Sequence, residues 1–399
     1  MQRFDTIVLG LGAMGSAALY HLAKKGGRVL GLDRFSPPHA FGSTHGDTRV
    51  TRLAIGEGEH YTPLAIRSHD LWRELENETG SSLLTTNGGL VISSRGATSH
   101  THVEGFFDNT LAAARKFGIA HELLDGAEIR RRFPQFKVSD AEHGYLEHDA
   151  GFVRPERCVA AHLAAAERGG AMIHRDETVA VFRGTASGVT VTSDRDTYAA
   201  ATLIVAPGAW LPGLVGRELA RHFSVYRQTL FWFDIDGPAK RFDVERCPIF
   251  IWELTGREQA IYGFPAVDGE RGGVKIATEQ FAKATHPDTV RRNVTPSEIR
   301  AMYADYVAPY ISGVSDKCIK AVTCLYTVTP DFGFVIDRHP ECERVILASP
   351  CSGHGFKHSP AIGEALAELA TGGAARFDLE PFALERFARN NGQPADPTA

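Results

Sequence analysis

The chain has 399 residues, more than a single hydrophobic core usually serves, so two lobes are expected. Apolar residues make up 43% and charged residues 23%, an ordinary globular balance, and a net charge of -5 without a long Lys/Arg run argues against a nucleic-acid surface. No stretch of about 18 apolar residues offers a membrane span, and Cys158, Cys247, Cys318, Cys324, Cys342 and Cys351 form neither a CxxC pair nor a zinc-type Cys/His spacing, so reduced thiols in the cytoplasm are expected.

The first predicted element is a strand, Thr6-Ile7-Val8-Leu9, too short for a secretory signal. It runs into Gly10-Leu11-Gly12-Ala13-Met14-Gly15 and a helix, and a second apolar run, Val29-Leu30-Gly31-Leu32, ends at Asp33. That order describes a βαβ unit that holds a dinucleotide. Gly10 permits the tight turn, Gly12 lets backbone approach a pyrophosphate at the helix's positive end, and Gly15 allows the helix to pack on the sheet. Asp33 lies where a carboxylate accepts hydrogen bonds from an adenosine ribose. The motif alone does not separate FAD from NAD.

Helical spacing follows over residues 61 to 79, through Leu64, Leu71, Trp72 and Leu75, and again from Glu104 to Phe117. Between them Gly88-Gly89-Leu90-Val91-Ile92 reads as a strand, and the alanine-rich stretch from Glu156 to Arg168 as a helix. Thr178 to Phe182 and Gly188 to Thr192 form a predicted hairpin, and Ala201 to Ala206 a buried strand ending in Pro207-Gly208-Ala209-Trp210, a second place for backbone to approach a cofactor. From Val225 to Cys324 the pattern is strand-rich, with runs at Thr229 to Ile235, Pro248 to Leu254, Ala260 to Phe264 and Val274 to Thr278. Arg344 to Ala348 returns to a buried parallel-type strand, before a glycine loop and a helix from about Pro360 to Thr371. Asn390 to Ala399 reads as a frayed tail.

The expected architecture is α/β, with a discontinuous Rossmann-like FAD-binding domain and a second, mostly antiparallel-sheet substrate domain. Its boundaries are 1-85, 150-217 and 328-399 for the first, and 86-149 and 218-327 for the second.

Three clusters carry chemistry beyond nucleotide binding: Gly42 to Arg49 with Arg52 three residues on; Lys275 on a predicted strand with Ala277 and Glu279 on the same face; and Cys324-Leu325-Tyr326-Thr327 with Ser352 to Lys357. Together with GLGAMG, SPPHAFGSTHGDTR, EGEHYTPLAIRSHDLW, YGFP before Lys275, CLYT and SGHGFK, in order and from end to end, the chain resembles the monomeric sarcosine oxidase family, which includes N-methyltryptophan oxidase and, more distantly, pipecolate and fructosyl amino acid oxidases.

The resemblance implies covalently bound FAD, oxidation of a secondary amino acid to an imine, and reoxidation by dioxygen to give hydrogen peroxide, in a monomer. Attachment carries over to Cys324, whose thiolate can add to the flavin 8-methyl group where positive charge from His45 and Arg49 favours it. Arg52 and Lys357 match the cations that hold the substrate carboxylate. Lys275 matches the lysine that activates dioxygen, and is a candidate catalytic residue with His45 and Arg49. Tyr262 and Tyr326 match aromatic residues of the substrate cavity. Cofactor contacts are implied at Gly10, Gly12, Gly15, Asp33 and Arg34; at Ser43, Thr44 and Thr48; at Val179 and Gly208; and at Gly353, Gly355, Phe356 and Lys357, where the Gly353-His354-Gly355 turn and the following helix stabilise negative charge on the flavin pyrimidine.

One position departs from the pattern. Sarcosine-active members carry a histidine four residues after the lysine, where this chain has Glu279. A carboxylate there favours a substrate with hydroxyls or a second cation and disfavours an extra carboxylate. Fructosyl amino acid oxidases share the Lys/Glu spacing, so an Amadori-type substrate is the alternative to an N-methyl amino acid. An NAD-dependent dehydrogenase would give Cys324 and Lys275 no role, and a non-enzymatic flavin-binding protein would leave Arg52 and Lys357 unexplained.

Overall fold

The computed structural model describes residues 1–99, 103–185 and 187–389; the tail expected from Asn390 to Ala399 lies outside them. Parallel pairing joins Gln2–Leu9 to Val29–Leu32 on one side and to Thr197–Val205 on the other. Met172–His174 extends the sheet beyond Val29–Leu32, and Cys342–Ser349 pairs in parallel with Thr197–Val205. Ile7, Val8, Leu203, Ile204, Val345 and Ile346 are all fully buried, because helices and loops cover both faces of this parallel core. The hairpin Val179–Thr185 and Gly188–Ser193 adds antiparallel strands at one edge.

The helix Ala13–Lys24 packs between Pro155–Arg168 and Ser359–Ala370. The close approach depends on glycine: a Cβ on Gly363 would lie 2.5 Å from the Ala17 Cβ, and one on Gly15 would lie 1.7 Å from the Gly10 carbonyl oxygen. Gly10 itself has φ +85, the left-handed turn that only glycine adopts freely.

A second sheet runs in the order Val314–Val328, Ser224–Ile235, Val274–Thr278, Ile261–Phe264, Ile249–Trp252, Gly89–Ser94, Glu142–Glu147 and His121–Asp125. Every pair is antiparallel except Ile249–Trp252 with Gly89–Ser94. Its core is aromatic, with Phe231, Phe233, Phe250 and Trp252 buried together. A small sheet of Arg49–Thr51, Gly151–Val153 and Leu84–Thr86 lies between the elements of the two larger ones in sequence. Among the described residues no helix is long and apolar enough to cross a membrane, and no group of His, Cys, Asp and Glu side chains is arranged to hold a metal.

Candidate active site

A continuous cavity of about 620 Å³ runs from the Gly10–Met14 turn to Arg52 and Lys357. At its nucleotide end lie Gly10, Gly12, Asp33, Arg34, Val179 and Gly208. Gly12 is the N-cap of Ala13–Lys24, and neither a side-chain cap nor an acidic residue occupies the first turn. The orphan N–H groups there suit a pyrophosphate, which is the fit the dinucleotide motif requires. Burial raises the Asp33 carboxyl, and its oxygens accept from the Leu11 N–H at 2.7 Å and the Phe35 N–H at 2.8 Å. Asp33 therefore braces the glycine turn as well as facing the cavity, a role the motif did not express. Arg34 Nη1 donates to Asp288, on the same wall, at 2.8 Å.

Ser43 and Thr44 line the middle of the cavity, whereas Thr48 is turned outward from it. The Lys275 Nζ donates to the carbonyls of Gly46 at 2.7 Å and Thr48 at 2.9 Å and to the Thr48 hydroxyl at 3.2 Å. Lys275 thus stands behind the 46–48 turn, buried against the rings of Phe264 and Trp232. Burial, with Arg49 nearby, pushes its amine well below its ordinary value. The turn is also held from the other side by Glu156, whose carboxylate accepts from the N–H groups of Gly46 at 2.6 Å and Asp47 at 3.1 Å. No local motif marks Glu156; it is simply an acid in the first turn of a predicted helix.

Cys324 is buried on Val314–Val328, with its Sγ 3.4 Å from Arg49 Nη2 and 3.4 Å from the Ser43 carbonyl. Arg49 keeps its charge at any working pH and supplies the cation beside the thiol. Burial first, then Arg49 and Lys275 nearby, push the His45 imidazole down to about 3. His45 Nε2 is buried without a protein partner, a free polar atom available to a bound group.

At the far end, Arg52 Nη2 is ion-paired with Glu57, and Lys357 Nζ lies 3.2 Å from the other Glu57 oxygen, 300 residues away in sequence. All three side chains are buried. Burial is the first cause that pulls the Lys357 amine down to about 8, with Glu57 opposing it. The Arg52 guanidinium stacks 4.6 Å from the Phe106 ring centroid, and its Nη1 donates to the Ala54 carbonyl at 2.6 Å. The sequence reading missed Glu57; its only signal was an acid five residues after Arg52 in a glycine-flanked loop.

Tyr262, Glu279 and Tyr326 line the same end. Burial pushes the Tyr262 phenol up to about 12 and Tyr326 well above its ordinary value. A Cβ on Gly353 would stand 2.8 Å from Glu279 Oε1 and 3.2 Å from the Tyr326 ring, so the bare Gly353 backbone makes room for both. Gly355 is required by contact with the Pro350 carbonyl, 1.7 Å from where its Cβ would be. Gly353, Gly355 and Phe356 line the cavity, and His354 stacks on Phe334 at 4.5 Å while its Nε2 pairs with the Phe332 carbonyl at 3.2 Å.

Comparison with known proteins agrees with this geometry. The profile of the DAO family, FAD dependent oxidoreductase, matches residues 5–369. The chain is 41% identical to monomeric sarcosine oxidase of Streptomyces avermitilis, over 96% of this chain and 98% of that one. It is 33% identical to N-methyl-L-tryptophan oxidase of Salmonella enteritidis PT4, over 97% and 100% of the two chains. Among solved structures it is similar to the open form of NikD, an unusual amino acid oxidase essential for nikkomycin biosynthesis, with a TM-score of 0.81, 25% identity and coverage of 96% and 98%. The chain belongs to the FAD dependent oxidoreductase family, in the group that holds the monomeric sarcosine and N-methyl-L-tryptophan oxidases.

Proposed function

We propose that this protein oxidises a secondary amino acid, of the N-methyl type, to its imine, and passes the electrons to dioxygen. The observation that carries this reading is the meeting of Arg52 and Lys357 on a single carboxylate at the end of the cofactor cavity. Glu57 stands in for the substrate carboxylate: an arginine fork and a lysine point charge converge on two oxygens of one planar group. The names of its relatives, monomeric sarcosine oxidase and N-methyl-L-tryptophan oxidase, support the same substrate class.

When bound, FAD supplies the two-electron acceptor. The chain's own residues do the rest. Arg52 and Lys357 fix the carboxylate and so aim the amine-bearing carbon along the cavity. Val50, Phe106, Ile261 and Phe264 give an apolar wall that excludes water. Cys324, with Arg49 beside its sulfur, is the proposed covalent anchor. Lys275 and Glu156 hold the 46–48 turn from opposite sides, and through that turn Lys275 is proposed to act on the dioxygen half-reaction. Glu279 adds a carboxylate to the substrate end besides Glu57, and it favours substrates that offer a donor or a cation beyond the amine. That observation keeps a hydroxyl-bearing Amadori-type substrate as the second reading.

The test is anaerobic mixing of the holoprotein with sarcosine, N-methyltryptophan, pipecolate and fructosyl-glycine while cofactor absorbance is followed, beside a peroxide assay in air. Bleaching with peroxide from an N-methyl amino acid is the expected result. Response to fructosyl-glycine alone would transfer the protein to the second reading, and bleaching without peroxide would remove dioxygen from the account.

A further inference from the structure

The connection between Val274–Thr278 and Pro296–Met302 has no helix or strand beyond a single bridge from Ala284 to Tyr226. Connections of this length, beyond about 12–15 residues, are uncommon in packed domains unless they have work to do. Both of its ends are tied to the second sheet. Gln280 exchanges hydrogen bonds with Gln228 at 2.6 and 2.8 Å, the Thr285 N–H donates to Val225 at 2.7 Å, and Arg227 donates to the Arg291 carbonyl at 2.7 Å. Its middle, Ala284 to Asp288, crosses to the nucleotide end and forms part of the cavity wall there.

On the nucleotide side the crossing is fastened by the Asp288 carboxylate. Asp288 Oδ1 accepts from Arg34 Nη1 at 2.8 Å and from Trp210 Nε1 at 2.8 Å. Arg34 is the residue after Asp33, and Trp210 is two after Gly208, so both donors sit on the two turns that approach the cofactor. Arg34 and Asp288 remain 41% and 39% exposed, which leaves their attraction open to screening by salt. The backbone bond from Thr285 to Val225 and the bridge from Ala284 to Tyr226 hinge the stretch on the second sheet, and beyond that hinge it meets the Arg34 and Trp210 turns through the two side-chain bonds of Asp288.

We propose that the 284–288 stretch is the door through which FAD enters and leaves, and that Asp288, closed on Arg34 and Trp210, is the latch over the adenosine half. The proposal rests on the cavity being the FAD site and not on which amine is oxidised. Asp288 is a positioning residue: it holds the door and need not touch the cofactor.

The test uses apoprotein from riboflavin-starved cells, mixed with FAD while tryptophan and flavin fluorescence are followed. Release is measured in a Cys324→Ala background, where attachment is removed. Asp288→Asn and Trp210→Phe are expected to speed both uptake and release by about tenfold, the order set by a hydrogen bond to a charged group. Added KCl should speed uptake by the unaltered chain and leave Asp288→Asn unchanged. Faster release with unchanged uptake would overturn the proposal, because Asp288 would then be a binding contact only. Unchanged rates in both variants would overturn it too, because the door would lie elsewhere. Trp210→Phe keeps the test decisive if Asp288→Asn does not fold, and no amine enters either measurement.

Discussion

The two ends of the cavity are built on different plans. The nucleotide end is centred on one βαβ unit, Gly10 to Gly15 and Asp33, and works there through backbone: a left-handed turn, an uncapped helix terminus and two N–H groups braced by a carboxylate. The substrate end gathers Arg52, Glu57, Tyr262, Glu279, Tyr326 and Lys357 from widely separated segments and works through side chains that neutralise one another. Backbone amides recognise a phosphate without being buried as charges. Side-chain cations placed to seize a carboxylate are buried charges, and they need a counter-charge until the substrate arrives. Glu57 is that counter-charge.

The contrast can be broken at specific residues. The largest effect is expected at Cys324→Ala: colour that stays with the unaltered polypeptide after acid precipitation should be lost entirely, and colour that remains would move the attachment elsewhere. Arg52→Met should raise the apparent substrate constant by about 100-fold and Lys357→Met by about tenfold, the range for hydrogen bonds to charged groups, with cofactor content intact. Loss of cofactor in both would show that the two ends are not separable. Lys275→Met should slow reoxidation by dioxygen by about 100-fold, the scale of a removed electrostatic stabiliser, and leave anaerobic bleaching near its original rate. Equal slowing of both steps, measured by rapid mixing, would mean that Lys275 only holds the 46–48 turn.

Smaller effects sharpen the account of charge. Lys357 is a cation below its value of about 8 and neutral above it, so the apparent substrate constant should rise as pH climbs through that point. The rise should vanish in Lys357→Met. Glu57→Gln removes the internal competitor and should lower the apparent substrate constant a few-fold. It also leaves two buried cations uncompensated, a loss on the order of 3 kcal/mol that lowers the melting temperature. Acetate should restore that temperature in the variant far more than in the unaltered chain, and equal responses would remove Glu57 from the carboxylate site.

Much of this was legible in the chain. Val8, Ile204 and Ile346 stand in short continuous apolar runs because both faces of a parallel strand are buried, and that pattern needs no knowledge of the fold. Five strands of the second sheet, from Gly89–Ser94 to Val274–Thr278, were legible one by one, but not His121–Asp125 or Glu142–Glu147, nor the parallel pairing of Gly89–Ser94 with Ile249–Trp252, which joins segments with no local signal in common. Glu57, Glu156 and Asp288 were missed for the same reason: a lone acid reads as a solvated charge until the partner that approaches it in space is known. His45 and Lys275 are a different case. Their identities were noted, but burial decides the charge of one and the position of the other, and burial is a property of the assembled molecule.

If Arg52 and Lys357 hold the substrate carboxylate, an amine without one should not react. The most direct measurement compares anaerobic bleaching of the holoprotein by sarcosine and by dimethylamine, which shares the secondary amine and lacks the carboxylate. Rapid bleaching by sarcosine, lost at matched concentration in Arg52→Met, is the expected result, with none by dimethylamine in either protein. Bleaching by both compounds at similar rates, unaffected by Arg52→Met, would contradict it.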